Sequence, residues 1–418
     1  MREPDRPVAV LVDAYTAGQY LPPAFKAQGA AVVHVQSTPR LIGSMPAPDL
    51  SVYDELVVHE DLTKTATRLS RLPVVCVVAG MEPGVRLADE LSDALGVPTN
   101  GASSAPVRRD KYAMIETLRA AGLRCARQIK SGDPEAILAW VAGEGPYPYV
   151  VKPLDSAATD SVYICRDLAE LHGAVREVRG RHTIYDKPND EVLVQSFLDG
   201  HEYVVDMVSY AGSRYVCGVW QYIKRVAGGS HPIYDTEWLL PADEEPVPTL
   251  IAYTNAALDA LNVRFGPSHA EVILTPDGPA LVEVGTRMAG NMNPGFHDYC
   301  AGANQADLTA FAFLRPADFL GSYGGRTYQK RKEAACYLTP TAHDGVVVDI
   351  DDAVATEIGR LKTVFGLNVK NKVGDRLRPT VDLFSSTLRV FMADDSRDDI
   401  VGDYHRIQEL AERVYIVR

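Results

Sequence analysis

Apolar residues fall in short runs along the first part of the chain, with polar or glycine-containing breaks between them. VAVLVD (8–13) reads as a buried strand. A turn at Thr16-Ala17-Gly18 and a helical stretch to Gln28 follow it. Gly29 stops the helix, and AVVHVQ (31–36) is a second strand. PVVCVVAG (73–80) repeats the pattern and leads into VRLADELSDALG, a helix ending at Gly96. Strands alternating with helices predict a parallel sheet. The turn after the first strand lacks the glycine spacing of a dinucleotide site. Its plain reading is a structural crossover, with phosphate binding there left open.

The texture changes near residue 107. RRDKYAMIETLRAAGL (108–123) is a helix with a basic start, YPYVVKP (147–153) a strand, and DSAATDS a polar loop before VYIC (162–165). Between 191 and 224 three apolar runs follow one another: EVLVQSFL, EYVVDMVSY and RYVCGVWQYIK. Gly200 and Ala211-Gly212 separate them, as hairpins require. This section reads as α+β and largely antiparallel. A third unit begins after 330, with strands at YLTPT and VVVDI and helices over 351–360 and 397–413. A chain of 418 residues is too long for one core, and the pattern divides it into 1–107, 108–330 and 331–418.

Composition narrows the function classes. An apolar content of 46% is ordinary for a globular protein. The formal net charge of −13 argues against a nucleic-acid groove, although a local cationic pocket for phosphates is compatible with it. The cysteines at 76, 125, 165, 217, 300 and 336 form no C-x-x-C pair, so they read as reduced thiols in a cytoplasm. The N-terminus MREPDRPVAVLVD has no signal-peptide core, and no apolar stretch is long enough to span a bilayer.

The most informative stretch is SHAEVILTPDGPALVEVGTRMAGNMNPG (268–295). Thr275-Pro276-Asp277-Gly278 is a turn between two strands of period two. One face would carry Ala270, Val272, Leu274, Ala280, Val282 and Val284. The other would carry His269, Glu271, Ile273, Leu281, Glu283 and Gly285. Glu271 and Glu283 lie symmetrically about Asp277, so a regular hairpin sets them opposite each other. Like charges so placed repel. A hard cation between them, Mg²⁺ or Mn²⁺, resolves the repulsion and keeps positions for phosphate oxygens. The alternative is a solvated face with bystander glutamates. Arg287, Gly290 and Asn291 follow at once and favour the first reading, because a guanidinium beside backbone amides suits a carboxylate or phosphate.

Weaker signals lie upstream. Lys152 ends an apolar strand ahead of a small-residue loop, and Lys111 opens a helix; both are placed to meet phosphates, although lysines at such ends are usually solvated. Glu202 follows a turn glycine and could accept from ribose hydroxyls.

The order of these pieces resembles the ATP-grasp superfamily over residues 105–320. Within it the chain is most similar to the L-amino acid ligases, the dipeptide synthetases. The resemblance implies α/β plus α+β architecture in three parts: a Rossmann-like pre-ATP-grasp domain, two lobes that grip ATP, and a C-terminal domain. It implies that Lys111, Lys152 and the loop starting at Ser156 hold phosphates. Gln195, Phe197 and Leu198 would line the adenine, and Glu202 would hold the ribose. Glu271 and Glu283 would bind magnesium. Arg287 and Gly290 would hold a substrate carboxylate and stabilise an acyl phosphate, with His269 just before the first metal ligand. Trp220, Lys224 and Asn291 would line the substrate pocket. The implied activity is ATP-dependent joining of a small carboxylate to an amine, with a homodimer left open. Alternatives are a ligase or carboxylase acting on a non-amino-acid carboxylate, or a non-catalytic nucleotide-binding module. Two positions depart from the family pattern: the loop 156–162 reads SAATDSV, without the usual glycines, and Gly285 stands where many members carry an asparagine.

Overall fold

A computed structural model describes residues 6–43, 45–155, 161–183, 188–227, 231–383 and 385–418. The chain opens with β1 (Val8–Val12), α1 (Leu21–Ala27), β2 (Ala31–Gln36), β3 (Glu55–Val58), α2 (Leu62–Leu69), β4 (Val74–Ala79) and α3 (Val85–Leu95). They form a four-stranded parallel sheet in the order β3-β2-β1-β4. β1 is buried on both sides: Val8, Val10 and Val12 enter one core, Ala9 and Leu11 another. Two-sided burial is why its sequence is an unbroken apolar run. β3 was not legible in the sequence, because ELVV is short and half exposed at the edge. The helix expected over 108–123 is α4 (Lys111–Ala120). Asp110 caps it by accepting from the Ala113 N–H at 2.8 Å, which fixes Lys111 as the first helical residue.

β5 (Gln128–Ser131), α5 (Pro134–Glu144), β6 (Tyr149–Lys152), β7 (Tyr163–Cys165), α6 (Leu168–Arg179) and β8 (Val192–Ser196) make a small antiparallel sheet, β5-β8-β6-β7, with its own core. The next elements are β9 (His201–Tyr210), β10 (Ser213–Ala227), β11 (His231–Leu239), α7 (Val247–Ala260), β12 (Gly266–Thr275), β13 (Gly278–Gly285), α8 (Pro294–Ala301), α9 (Gln305–Leu314) and α10 (Pro316–Ser322). The last are β14 (Glu333–Thr339), β15 (Gly345–Ile350), α11 (Asp352–Gly359), β16 (Val364–Val369), β17 (Arg376–Leu377), β18 (Leu388–Asp394), α12 (Arg397–Ala411) and β19 (Tyr415–Val417). One antiparallel sheet of eight strands runs through both groups, β13-β12-β9-β10-β11-β14-β18-β16. The C-terminal segment therefore widens the large sheet, while α11 and α12 pack with it over a separate core.

One expected hairpin is not there. β8 belongs to the small sheet and β9 to the large one, so EVLVQSFL and EYVVDMVSY do not pair. Gly200 marks the crossing between sheets. A Cβ there would lie 2.1 Å from the Leu274 carbonyl oxygen, so glycine serves close approach and not a hairpin turn. Ala211 and Gly212 do form a hairpin turn, with φ of 51° and 85°, joining Tyr210 to Ser213.

Candidate active site

The two sheets and the N-terminal unit enclose a cavity of about 1100 Å³. One face of the large sheet is its floor, and strand register fixes what stands there. Ile273, Glu202, Tyr222, Glu237, Cys336 and Phe391 form one cross-strand row from β12 to β18. Glu271 and His269 share that face of β12 with Ile273. Lys152 and Val150 of β6 face the floor from the small sheet, and Thr16, Ala17 and Glu82 close the cavity from the N-terminal unit.

Glu271 pairs with Glu283 across the β12–β13 hairpin, as expected; the register of the turn, Thr275 opposite Gly278, would by itself set Glu271 against Val282, and a shift between Glu271 and Val272 brings Glu283 opposite instead. Beyond that pair the hairpin is irregular. A β-bulge sets Leu281, and not Val282, opposite Val272. Leu281 therefore enters the core and Val282 joins the cavity wall, the reverse of the faces expected from strict alternation.

The glutamate pair splits electrostatically. Burial and the neighbouring Glu283 charge raise Glu271 above the usual glutamate range. Burial also works against Glu283, but Lys111, then Lys152 and Arg287, hold it down at about 2. Lys111 Nζ lies 2.6 Å from Glu283 Oε2; the lysine is not on the cavity wall and meets the site through that contact. Lys152 is only 5% exposed, and burial followed by the Lys111 charge lowers it to about 8. Burial disfavours a charged His269, yet Asp206 Oδ1, 2.7 Å from Nδ1, prevails and lifts it to about 9. His269 Nε2 lies 3.7 Å from Glu271 Oε1, so the ring ties Glu271 to β9.

Glu202 accepts from the Tyr234 hydroxyl at 2.9 Å and from the Lys224 ammonium. Gln195, Phe197 and Leu198 line the cavity where the chain leaves β8, and Gln195 donates to Gln128 Oε1 at 2.9 Å. Residues 156–160, Ser156 among them, lie outside the described residues, while Ser161 and Val162 at the end of that loop line the cavity. Trp220 is a correction. It stands in the cross-strand row of Glu271 and Val204, but Phe296 and His297 of α8 pack on it, with ring centroids 6.1 and 5.3 Å away. It is a core residue, not a pocket residue.

Arg287 Nε donates to Glu82 Oε2 at 3.0 Å, and Nη1 donates to the Met288 carbonyl at 3.0 Å. The other Glu82 oxygen takes Arg109, which also reaches Asp155. This network explains Gly285. A Cβ at that position would stand 2.8 Å from Glu82 Oε2 and 3.0 Å from the Arg287 guanidinium carbon, so the space an asparagine would enter is already filled. The chain after Arg287 runs back across the floor. Asn291 Nδ2 donates to Glu237 Oε2, and the Gly290 carbonyl accepts from Arg389 Nη1 at 3.4 Å. Burial pushes Glu237 up to about 7, against the opposing charge of Arg389. Glu82, Glu237 and Arg389 escaped sequence reasoning. Each is a lone charged residue in its own segment, and only tertiary packing brings it to the cavity.

The model of a family described as the ATP-grasp domain matches residues 145–294. Over 392 residues the chain is 33% identical to dapdiamide A synthase of Enterobacter agglomerans, covering 91% of this chain and 90% of that protein. The chain belongs to the ATP-grasp family. Two solved ATP-grasp structures share its fold over 98% of each chain. An L-amino acid ligase from Bacillus licheniformis has a TM-score of 0.75 at 19% identity. The ADP complex of N5-carboxyaminoimidazole ribonucleotide synthetase has 0.70 at 15%. This ATP-grasp chain binds ATP and is an ATP-dependent ligase that joins a carboxylate to an amine. Among the described residues no helix is long and apolar enough to cross a membrane.

Proposed function

We propose that the enzyme transfers the γ-phosphoryl group of ATP to a carboxylate, and that an amine then attacks the acyl phosphate and releases phosphate. An amino acid is the substrate class that best suits the cavity, which offers carboxylates and guanidinium groups to a zwitterion. The work divides among 1–107, which closes one side, 108–330, which carries the chemistry, and 331–418, which extends the floor. The observation that carries this reading is the in-register Glu271–Glu283 pair, with the charges of Lys111, Lys152 and Arg287 acting on Glu283.

Glu271 and Glu283 would hold Mg²⁺ or Mn²⁺. The donor set fits: two carboxylates on one rigid hairpin suffice for Mg²⁺ when phosphates supply further oxygens, and their mutual repulsion is what a cation relieves. The bound ion would supply charge neutralisation at the terminal phosphates. Lys152 would hold the phosphates and Lys111 would act there through its contact with Glu283, with Ser156 assigned to the phosphates by the family resemblance alone. Gln195, Phe197 and Leu198 take the adenine, and Glu202, oriented by Lys224 and Tyr234, takes the ribose hydroxyls. Arg287 holds the reacting carboxylate and later the oxyanion, helped by backbone groups at Gly290. His269 positions Glu271. Asn291 reaches the substrate end through Glu237. Burial of the five least exposed cysteines as free thiols is in keeping with a cytoplasmic enzyme.

The direct test is phosphate release from ATP and Mg²⁺ against a matrix of amino acid pairs. Release that needs two amino acids supports the reading. Tight nucleotide binding with no release for any pair or single acid would make the chain a nucleotide-binding module instead.

A further inference from the structure

A ligase of two amino acids meets two carboxylates: the one it activates, and the free carboxylate of the incoming amine. Three arginines line the cavity: Arg181, which pairs with Glu177 at 2.8 Å beside α6, and Arg287 and Arg389, which stand on different elements around the floor. Arg287 follows β13 and is bound to Glu82, close enough to Glu283 to help hold it ionised. Arg389 stands on β18, opposite Leu338 of β14 and Asn368 of β16, and all three line the cavity. Its Nη1 touches the Gly290 carbonyl, while its buried Nε has no hydrogen-bond partner among the described residues.

Glu237 lies two strands from Arg389, in the row that ends at Phe391. It is 5% exposed and held by Asn291 on one oxygen. The two unlike charges feel each other, yet among the described residues they form no ion pair within 4.0 Å. Unlike charges kept apart on one wall of a cavity match the two ends of a zwitterion. Glu237 is the buried one of the two, and a buried charge is costly unless a partner completes it.

We propose that Arg389 and Glu237 form the acceptor subsite, Arg389 taking the free carboxylate of the incoming amino acid and Glu237 its ammonium group. The C-terminal segment thereby selects the amine substrate, while Arg287 serves the activated acid. This rests on the amino acid ligase reading, and the test separates the two.

The test is calorimetric titration of the full chain, loaded with Mg²⁺ and a non-hydrolysable ATP analogue, with each of the proteinogenic amino acids and with the carboxamides of those that bind. Wild type is expected to bind at least one amino acid and to bind its carboxamide at least about tenfold more weakly. Arg389→Gln should erase that preference. Glu237→Gln should weaken amino acid and carboxamide alike by about tenfold, with analogue affinity within about twofold of wild type in both variants. A merely structural role for Arg389 would not move the ratio between acid and amide. No binding of any amino acid, an unchanged ratio in Arg389→Gln, or loss of all binding in Arg287→Lys alone would overturn the subsite. Phosphate release by wild type with the same amino acids reads the ligase itself, so its absence sinks that reading without touching the binding result.

Discussion

The two sheets that face the cavity are built on different scales. The strands of the small sheet are three to five residues long, with one compact core of their own. Those of the large sheet run to fifteen residues and are tied to helices on the far side. Their contributions differ as well. The large sheet brings Glu202, Glu237, Glu271 and Glu283, each fixed by register, whereas the small sheet brings Lys152, apolar wall and the segment from Gln195 to Leu198. In the proposed function, the groups that would hold metal, ribose and substrate stand on this floor. Lys152 and the segment from Gln195 to Leu198, which in the proposed function would grip phosphate and adenine, stand on the smaller unit, joined to the floor through the Gly200 crossing.

The sharpest way to break this comparison is on the floor. Glu271→Gln and Glu283→Gln should each cost on the order of 10³-fold in phosphate release, with the far-ultraviolet spectrum and melting transition retained. Near-native turnover of either variant at millimolar Mg²⁺ would remove the floor from the chemistry. On the cover, Lys152→Ala should weaken a non-hydrolysable ATP analogue by about 10²-fold in calorimetric titration, and should affect the acid substrate less. An unchanged nucleotide affinity would mean that the small sheet does not grip phosphate.

Arg287→Lys should lose at least about tenfold in kcat/KM, about 1.4 kcal/mol, because a point charge cannot reproduce the planar fork that now spans Glu82 and the Met288 carbonyl. Wild-type kinetics would reduce Arg287 to an interdomain clamp. The smallest effect concerns pH. Lys152 is lowered to about 8, so the free protein loses that ammonium as pH rises through this value. Affinity for the ATP analogue should then fall by up to about tenfold per pH unit above 8, and the fall should be absent in Lys152→Ala. A flat profile in wild type would show that another group carries the grip.

Much of the floor was legible because its signal is local. Period-two alternation and a turn at Asp277 place Glu271 and Glu283 on one hairpin, and a bulge next to Glu271 supplies the one-residue shift that sets them opposite each other. The bulge that exchanges Leu281 and Val282 was not legible, since one extra residue leaves the apolar count of the strand unchanged. Trp220 follows the same alternation as Tyr222 and Lys224, and only the packing of α8 decides that it is roofed. Gly200 looked like a hairpin turn because a glycine between two apolar runs does not say whether those runs share a sheet. Glu237 shows the limit most clearly. In YDTEWLLP it reads as the polar face of an ordinary strand. It faces a cavity because β14 and β18 from the C-terminal segment extend the sheet beyond β11.

The central claim is that a carboxylate is activated on this floor as an acyl phosphate. With a productive pair of substrates in hand, the acid is labelled with ¹⁸O in its carboxylate and the released inorganic phosphate is examined by mass spectrometry. Attack of the carboxylate on the γ-phosphoryl group makes one carboxylate oxygen the bridge, and attack of the amine leaves that oxygen on phosphate and the other in the amide. One ¹⁸O per phosphate is therefore the predicted result. Unlabelled phosphate formed along with the amide, with the ¹⁸O lost from the acid found elsewhere, would contradict the account.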